Sequence, residues 1–97
     1  MVQVAHIRYD GGALLLPAQE PYDREVVFQE AECCARLHGT AGVQLGRTQM
    51  RVSVSDDVTV ACARCRARVG LLSFLIGQLR VCGHCARRSL GCRTPAA

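Results

Sequence analysis

The chain contains no tryptophan and no lysine, and aromatic residues make up only 4% of it. So few rings exclude a core built on aromatic packing and leave that task to valine, leucine and alanine. They also argue against a single-strand nucleic-acid binder, which stacks bases on aromatic side chains. A long apolar run is missing too. The greasiest stretch, Gly70–Ile76, is bracketed by Arg68 and Arg80 within 11 residues, whereas a bilayer span takes ~20 apolar residues. The first ten residues read MVQVAHIRYD, without the basic start and apolar run of a secretory signal. These absences predict an intracellular protein (cytoplasmic or nuclear) with reduced thiols and no membrane association.

What is present is a short chain of 97 residues, 49% hydrophobic, with a net charge of +4. That composition is too apolar for a disordered tail. The length fits one small domain, or a small domain plus a finger, and such domains often need a metal or disulfide staple. All twelve basic residues are arginine. Arginine suits bidentate contacts to phosphate and carboxylate, but a GC-rich coding sequence also favours it, and eight acids offset the charge.

Val2–Tyr9 reads as a strand with neither face cleanly apolar, Asp10-Gly11-Gly12 as a turn, and Ala13–Leu16 as the returning strand. Pro17 and Pro21 close that hairpin. Asp23 is the candidate cap of a helix running to about Leu37, with Val27, Ala31, Cys34 and Leu37 as its apolar stripe and Gly39 as its stop. Gly42 and Gly46 flank Val43 and Leu45. Met50, Val52 and Val54 then alternate with polar residues, Asp56-Asp57 makes a turn, and Val58, Val60 and Cys62 read as the return strand of a second hairpin.

Seven cysteines is a high count, and an odd one for a disulfide framework. Cys62-Ala63-Arg64-Cys65 and Cys82-Gly83-His84-Cys85 form two C-x2-C pairs separated by sixteen residues. Each pair can fold back as a knuckle with both thiolates facing one point. Two knuckles supply the four sulfurs that tetrahedral zinc prefers. The competing readings are disulfides, unrelated core thiols and, more remotely, an iron–sulfur cluster. Arg64, Arg66, Arg68, Arg80, Arg87 and Arg88 flank the pairs and offset the charge of four thiolates.

With this spacing, Cys62–Cys85 resembles a zinc ribbon and is similar to the C-terminal finger of formamidopyrimidine-DNA glycosylases. The resemblance covers about a quarter of the chain and implies one structural zinc and a hairpin between the knuckles. It does not extend to the glycosylase itself, whose N-terminal proline and glutamate are replaced here by Val2 and Gln3. In the glycosylase finger the hairpin contacts DNA, whereas here the insert carries Leu71, Leu72, Phe74, Leu75, Ile76 and Leu79.

That insert either docks on the N-terminal part or forms a contact surface, with Leu72 and Phe74 expected partly inside and Leu75 and Leu79 outward. A second metal site would have to draw on Cys33, Cys34, His38, Cys92 or His84; small core thiols and a solvated helix-end histidine are the simpler account. His84 reads as a hydrogen-bond donor near the metal. No histidine has the following glutamate of a zinc deaminase, and four thiolates leave a metal no open position for water.

The expected fold is therefore small α+β: two β-hairpins and one helix in residues 1–60, a zinc ribbon in 61–92 and a tail in 93–97. The expected function is a non-enzymatic zinc-binding adaptor or regulatory module. It would engage a protein partner, or a second copy of itself, through Leu72, Phe74, Leu75, Ile76 and Leu79. The alternatives are direct nucleic-acid binding through the six arginines named above, or a small subunit of a polymerase-type complex.

Overall fold

The computed structural model describes residues 3–56 and 59–93. Its six strands, β1 (Val4–Tyr9), β2 (Gly12–Pro17), β3 (Thr40–Leu45), β4 (Thr48–Val54), β5 (Leu72–Ile76) and β6 (Leu79–Val81), form one sheet in the order β2-β1-β3-β4-β5-β6. Every neighbouring pair is antiparallel. Two helices, α1 (Pro21–His38) and α2 (Gly83–Leu90), complete the small α+β fold.

The first hairpin forms as its Asp10-Gly11 turn requires, with Gly11 at φ 96°. Ala5 and Ile7 point inward from β1 while His6 and Arg8 point out. The expected start of that strand at Val2 lies outside the described residues. α1 then carries the chain across β1, so that β3 pairs on the side of β1 away from β2.

α1 starts earlier than Asp23. Glu20 is its N-cap and Pro21 its first residue, where a missing N–H costs nothing. Asp23 instead sits in the first turn, still well placed against the helix dipole. Val27, Ala31 and Cys34 are buried as the stripe predicts, together with Phe28 and Ala35. Leu37 is not: it is 74% exposed. The stripe drifts because helical positions precess, and Ala35 rather than Leu37 meets the sheet in the last turns.

The second hairpin also differs from expectation. β4 pairs with β3 on one side and with β5 on the other, and among the described residues not with Val60 or Cys62. Asp57 and Val58 lie outside the described residues; Val60 is half-buried, and Val69 donates to its carbonyl at 3.0 Å. The turn that counts is Gly46-Arg47, with Gly46 at φ 58°. β3 is hard to read because Gly42 interrupts its alternation, yet Ala41, Val43 and Leu45 all face the core.

The β4–β5 pairing carries the sheet into the segment between the two cysteine pairs. Leu72 and Phe74 lie opposite Val54 and Val52. Phe74 stacks on Phe28 of α1, with ring centroids 5.1 Å apart, and Arg87 of α2 lies over the other part of that cluster, 4.7 Å from the Phe28 centroid. Both helices therefore cover the same face of the sheet. The second helix was not expected. Its short apolar set, Cys85, Ala86 and Leu90, gives little periodic signal. No helix among the described residues is long and apolar enough to cross a membrane.

Candidate metal centre

Two different local structures bring the four thiols together. Cys62–Cys65 is a tight turn closed by Arg66 N–H donating to the Cys62 carbonyl at 3.0 Å. Inside it, the Arg64 and Cys65 amides point at Cys62 Sγ, at 3.4 and 3.5 Å. The Ala63 N–H donates to the Arg80 carbonyl at 2.9 Å, which fixes this knuckle to the edge of β6. The other pair opens α2: Cys82 is the N-cap, and Ala86 N–H donates back to its carbonyl at 2.9 Å. Thiolates at a helix N-terminus sit at the positive end of its dipole.

The ligand atoms of Cys62, Cys65, Cys82 and Cys85 all lie within 4.8 Å of one another. Cys65 Sγ and Cys82 Sγ are 3.6 Å apart. That is far beyond a disulfide bond of about 2.05 Å. It agrees with the edge of a tetrahedron around zinc, roughly 3.8 Å for Zn–S bonds of about 2.3 Å. The four sulfurs thus fit a metal ion of zinc's size. No protein-family model matches this chain, and no curated protein or solved structure compared with it is similar. The centre therefore stands on its own geometry.

The thiols are electrostatically unequal. Burial pushes Cys85 up, and shared hydrogen bonds with Cys62, Cys65 and Cys82 push it further, to about 12. Burial also raises Cys82. Burial acts on Cys62 in the same sense, but backbone donors from Cys65, Cys82 and Arg64 outweigh it and bring that thiol down to about 6. The amides of the first knuckle are thus already arranged for a sulfur anion.

One residue of the knuckle is strained. Arg66, directly after Cys65, has φ 69° and is the one described non-glycine residue with positive φ. Such a conformation costs a side-chain-bearing residue roughly 1–2 kcal/mol. Arg66→Gly should therefore stabilise the metal-loaded protein by about 0.5–1 kcal/mol, since glycine relieves the strain but adds unfolded-state entropy. Thermal melts of the two loaded proteins should show a rise of a few degrees; a fall would assign the Arg66 side chain a structural contact of its own.

Among the described residues, no other group of three or more His, Cys, Asp or Glu side chains gathers in this way. His38 stacks on Tyr9, with centroids 4.7 Å apart. Cys33 is exposed, Cys34 is buried, and burial, Glu30 and Cys33 raise the Cys34 thiol. Burial likewise pushes Cys92 up to about 11. His84 is exposed on the first turn of α2.

The apolar insert divides between core and surface. Leu72 and Phe74 are buried, Leu75 and Ile76 half-buried, and Leu79 is 49% exposed. The six flanking arginines do not share one face. Arg64 reaches Ser89. Arg87 lies over Phe28 and 3.9 Å from Glu32 on the helix side. Arg66 and Arg68 are on the loop after the first knuckle, Arg88 is exposed on α2, and Arg80 points to the opposite side of the sheet from Val81. Two contributions are absent from the sequence reading. One is the α2 dipole, for which Gly83 and the basic Arg87-Arg88 are the available signals. The other is the set of arginines on β1 and β4, which depends on which sheet face the helices cover.

Proposed function

We propose that this protein is a non-enzymatic binding module, an adaptor or regulatory unit, whose fold is closed by one structural zinc ion on Cys62, Cys65, Cys82 and Cys85. The observation that carries this reading is the closed all-thiol set, with its sulfurs within 4.8 Å of one another. Four sulfur ligands satisfy zinc and leave no position for a reacting water, which favours a structural over a catalytic ion. The position of the set supports the same role. One knuckle is tied to β6 and the other begins α2, so an ion there would join the last strand to the last helix.

Freshly reduced, chelator-free protein should carry one zinc per chain by elemental analysis, and Cys65→Ser should carry none. No zinc in the unaltered protein would sink the proposal; a value of two would restore a site at Cys34 and His38.

A further inference from the structure

Both helices lie on one face of the sheet, and the other face has no helix over it. Strand alternation places His6 and Arg8 of β1, Gln44 of β3, Gln49 and Arg51 of β4, and Arg80 of β6 on that second face. The register aligns some of them in one row across the strands. Arg8 is opposite Gly42, Gly42 opposite Arg51, Arg51 opposite Leu75, and Leu75 opposite Arg80. The arginines therefore stand on every second strand, at intervals of roughly 10 Å and over about 19 Å in all, given a strand spacing of about 4.8 Å. Gly42 leaves the space between Arg8 and Arg51 open, and a depression of about 540 Å³ lies there, lined among others by His6, Arg8, Gln44, Gln49 and Arg51.

Charge is segregated between the two sides. Among the described residues, Asp23, Glu25, Glu30 and Glu32 belong to α1, Asp10, Glu20 and Asp56 lie in connections, and no strand carries an acid. Arginines of the helix side other than the exposed Arg88 are engaged: Arg36 and Arg87 with Glu32, Arg24 with Ala18 and Gln3, and Arg93 over the Tyr22 ring. Among the described residues, Arg8, Arg51 and Arg80 have no ion pair or hydrogen bond from their guanidinium groups.

We propose that this uncovered face is a binding surface for the phosphate backbone of double-stranded DNA, held by Arg8, Arg51 and Arg80. Free guanidinium groups without neighbouring carboxylates are matched to phosphates. A row of about 19 Å exceeds the ~12 Å width of a B-form major groove, so its ends reach phosphates on both sides of it. The described strands place no Phe, Tyr or Trp on this face: Tyr9 stacks with His38 and Phe74 with Phe28, on the helix side. His6 is the one ring that the described strands set there, so a run of unpaired bases would find no series of rings to stack on. The inference names a partner class for the binding module proposed above, and it does not depend on which metal the thiols hold.

The test uses the full chain and fluorescence anisotropy with 20-base-pair DNA and RNA duplexes of one sequence and the matching single strands. Binding of a duplex should weaken with salt, with a log–log slope of roughly −2.7 for three phosphate contacts to DNA. Arg8→Gln, Arg51→Gln and Arg80→Gln together should weaken it at least tenfold. The charge-matched control Arg36→Gln, Arg88→Gln and Arg93→Gln should weaken it less than threefold. The DNA duplex should bind more tightly than the RNA duplex, and the reverse order would overturn the assignment to DNA. No duplex binding at low salt, tighter binding of the single strand, or equal losses in the two triple variants would each overturn the assignment. Zinc content and the thermal melt, recorded on the same samples, keep the two proposals apart: a metal-free but folded and binding protein would sink only the zinc reading.

Discussion

Removing the metal, by a strong chelator or by Cys82→Ser, should abolish cooperative folding of the β5–β6–α2 region. Binding free energy in small zinc units is on the order of 10 kcal/mol and is also folding energy. A domain of this size has net stability of only about 5–15 kcal/mol. Circular dichroism should show loss of the α2 signal and a melt that is broad or absent, while the loaded protein melts cooperatively. The protonation of the thiols adds a pH signature. Cys82 is raised by burial and Cys85 stands at about 12, so both hold protons near neutrality and must release them to bind a metal. As pH falls, apparent zinc affinity should drop about tenfold per unit for each proton displaced, so these two thiols alone set a slope of at least about a hundredfold per unit. Cys62, lowered to about 6 by the backbone donors that overcome its burial, is an anion above that pH. Below it this thiol takes up a proton too, and the dependence steepens. Competition titrations with a chromophoric chelator at several pH values measure the slope directly. A pH-independent affinity, or an apoprotein with the melt of the loaded form, would remove the four-thiolate centre.

The thiol cluster was legible because its signal is local and chemical. Two C-x2-C pairs need little more than a chain that can turn back on itself, and the cysteines do converge as the spacing suggests. The first hairpin was legible for a similar reason, since Asp10-Gly11-Gly12 specifies a turn whatever surrounds it. Strand partners beyond that were not. β4 has an alternating pattern that any neighbour could satisfy, and Asp56-Asp57 offered a nearby turn. The native partners are β3, weakened by Gly42, and β5, which lies beyond the entire first knuckle. Pairing across so long an excursion is decided by tertiary packing. The open sheet face follows from that same packing. Arg8 and Arg51 are unremarkable in sequence and become neighbours only because Gly42 of β3 lies between them.

Phe74→Asp should be the most damaging substitution away from the cysteines. Phe74 is 2% exposed, stacks on Phe28, and has the start of α2 at its ring, where a Cβ on Gly83 would lie 3.5 Å away. Its register partners Val52 and Val81 are fully buried. Truncating a buried phenylalanine costs about 3–5 kcal/mol. A carboxylate in its place must in addition lose its hydration or take up a proton. The combined loss is comparable to the whole stability of a domain this small. The expected result is a protein without a cooperative melt, even with zinc in excess. Leu79→Asp makes the contrast. That residue is 49% exposed on the short edge strand β6, and surface substitutions of this kind stay within about 0.5 kcal/mol. The pair of melts thus separates two roles within one apolar insert: Phe74 as the contact that joins α1, β5 and α2, and Leu79 as surface. A folded Phe74→Asp protein with an unchanged melting temperature would break that assignment and return the ring to the surface, where a partner could meet it.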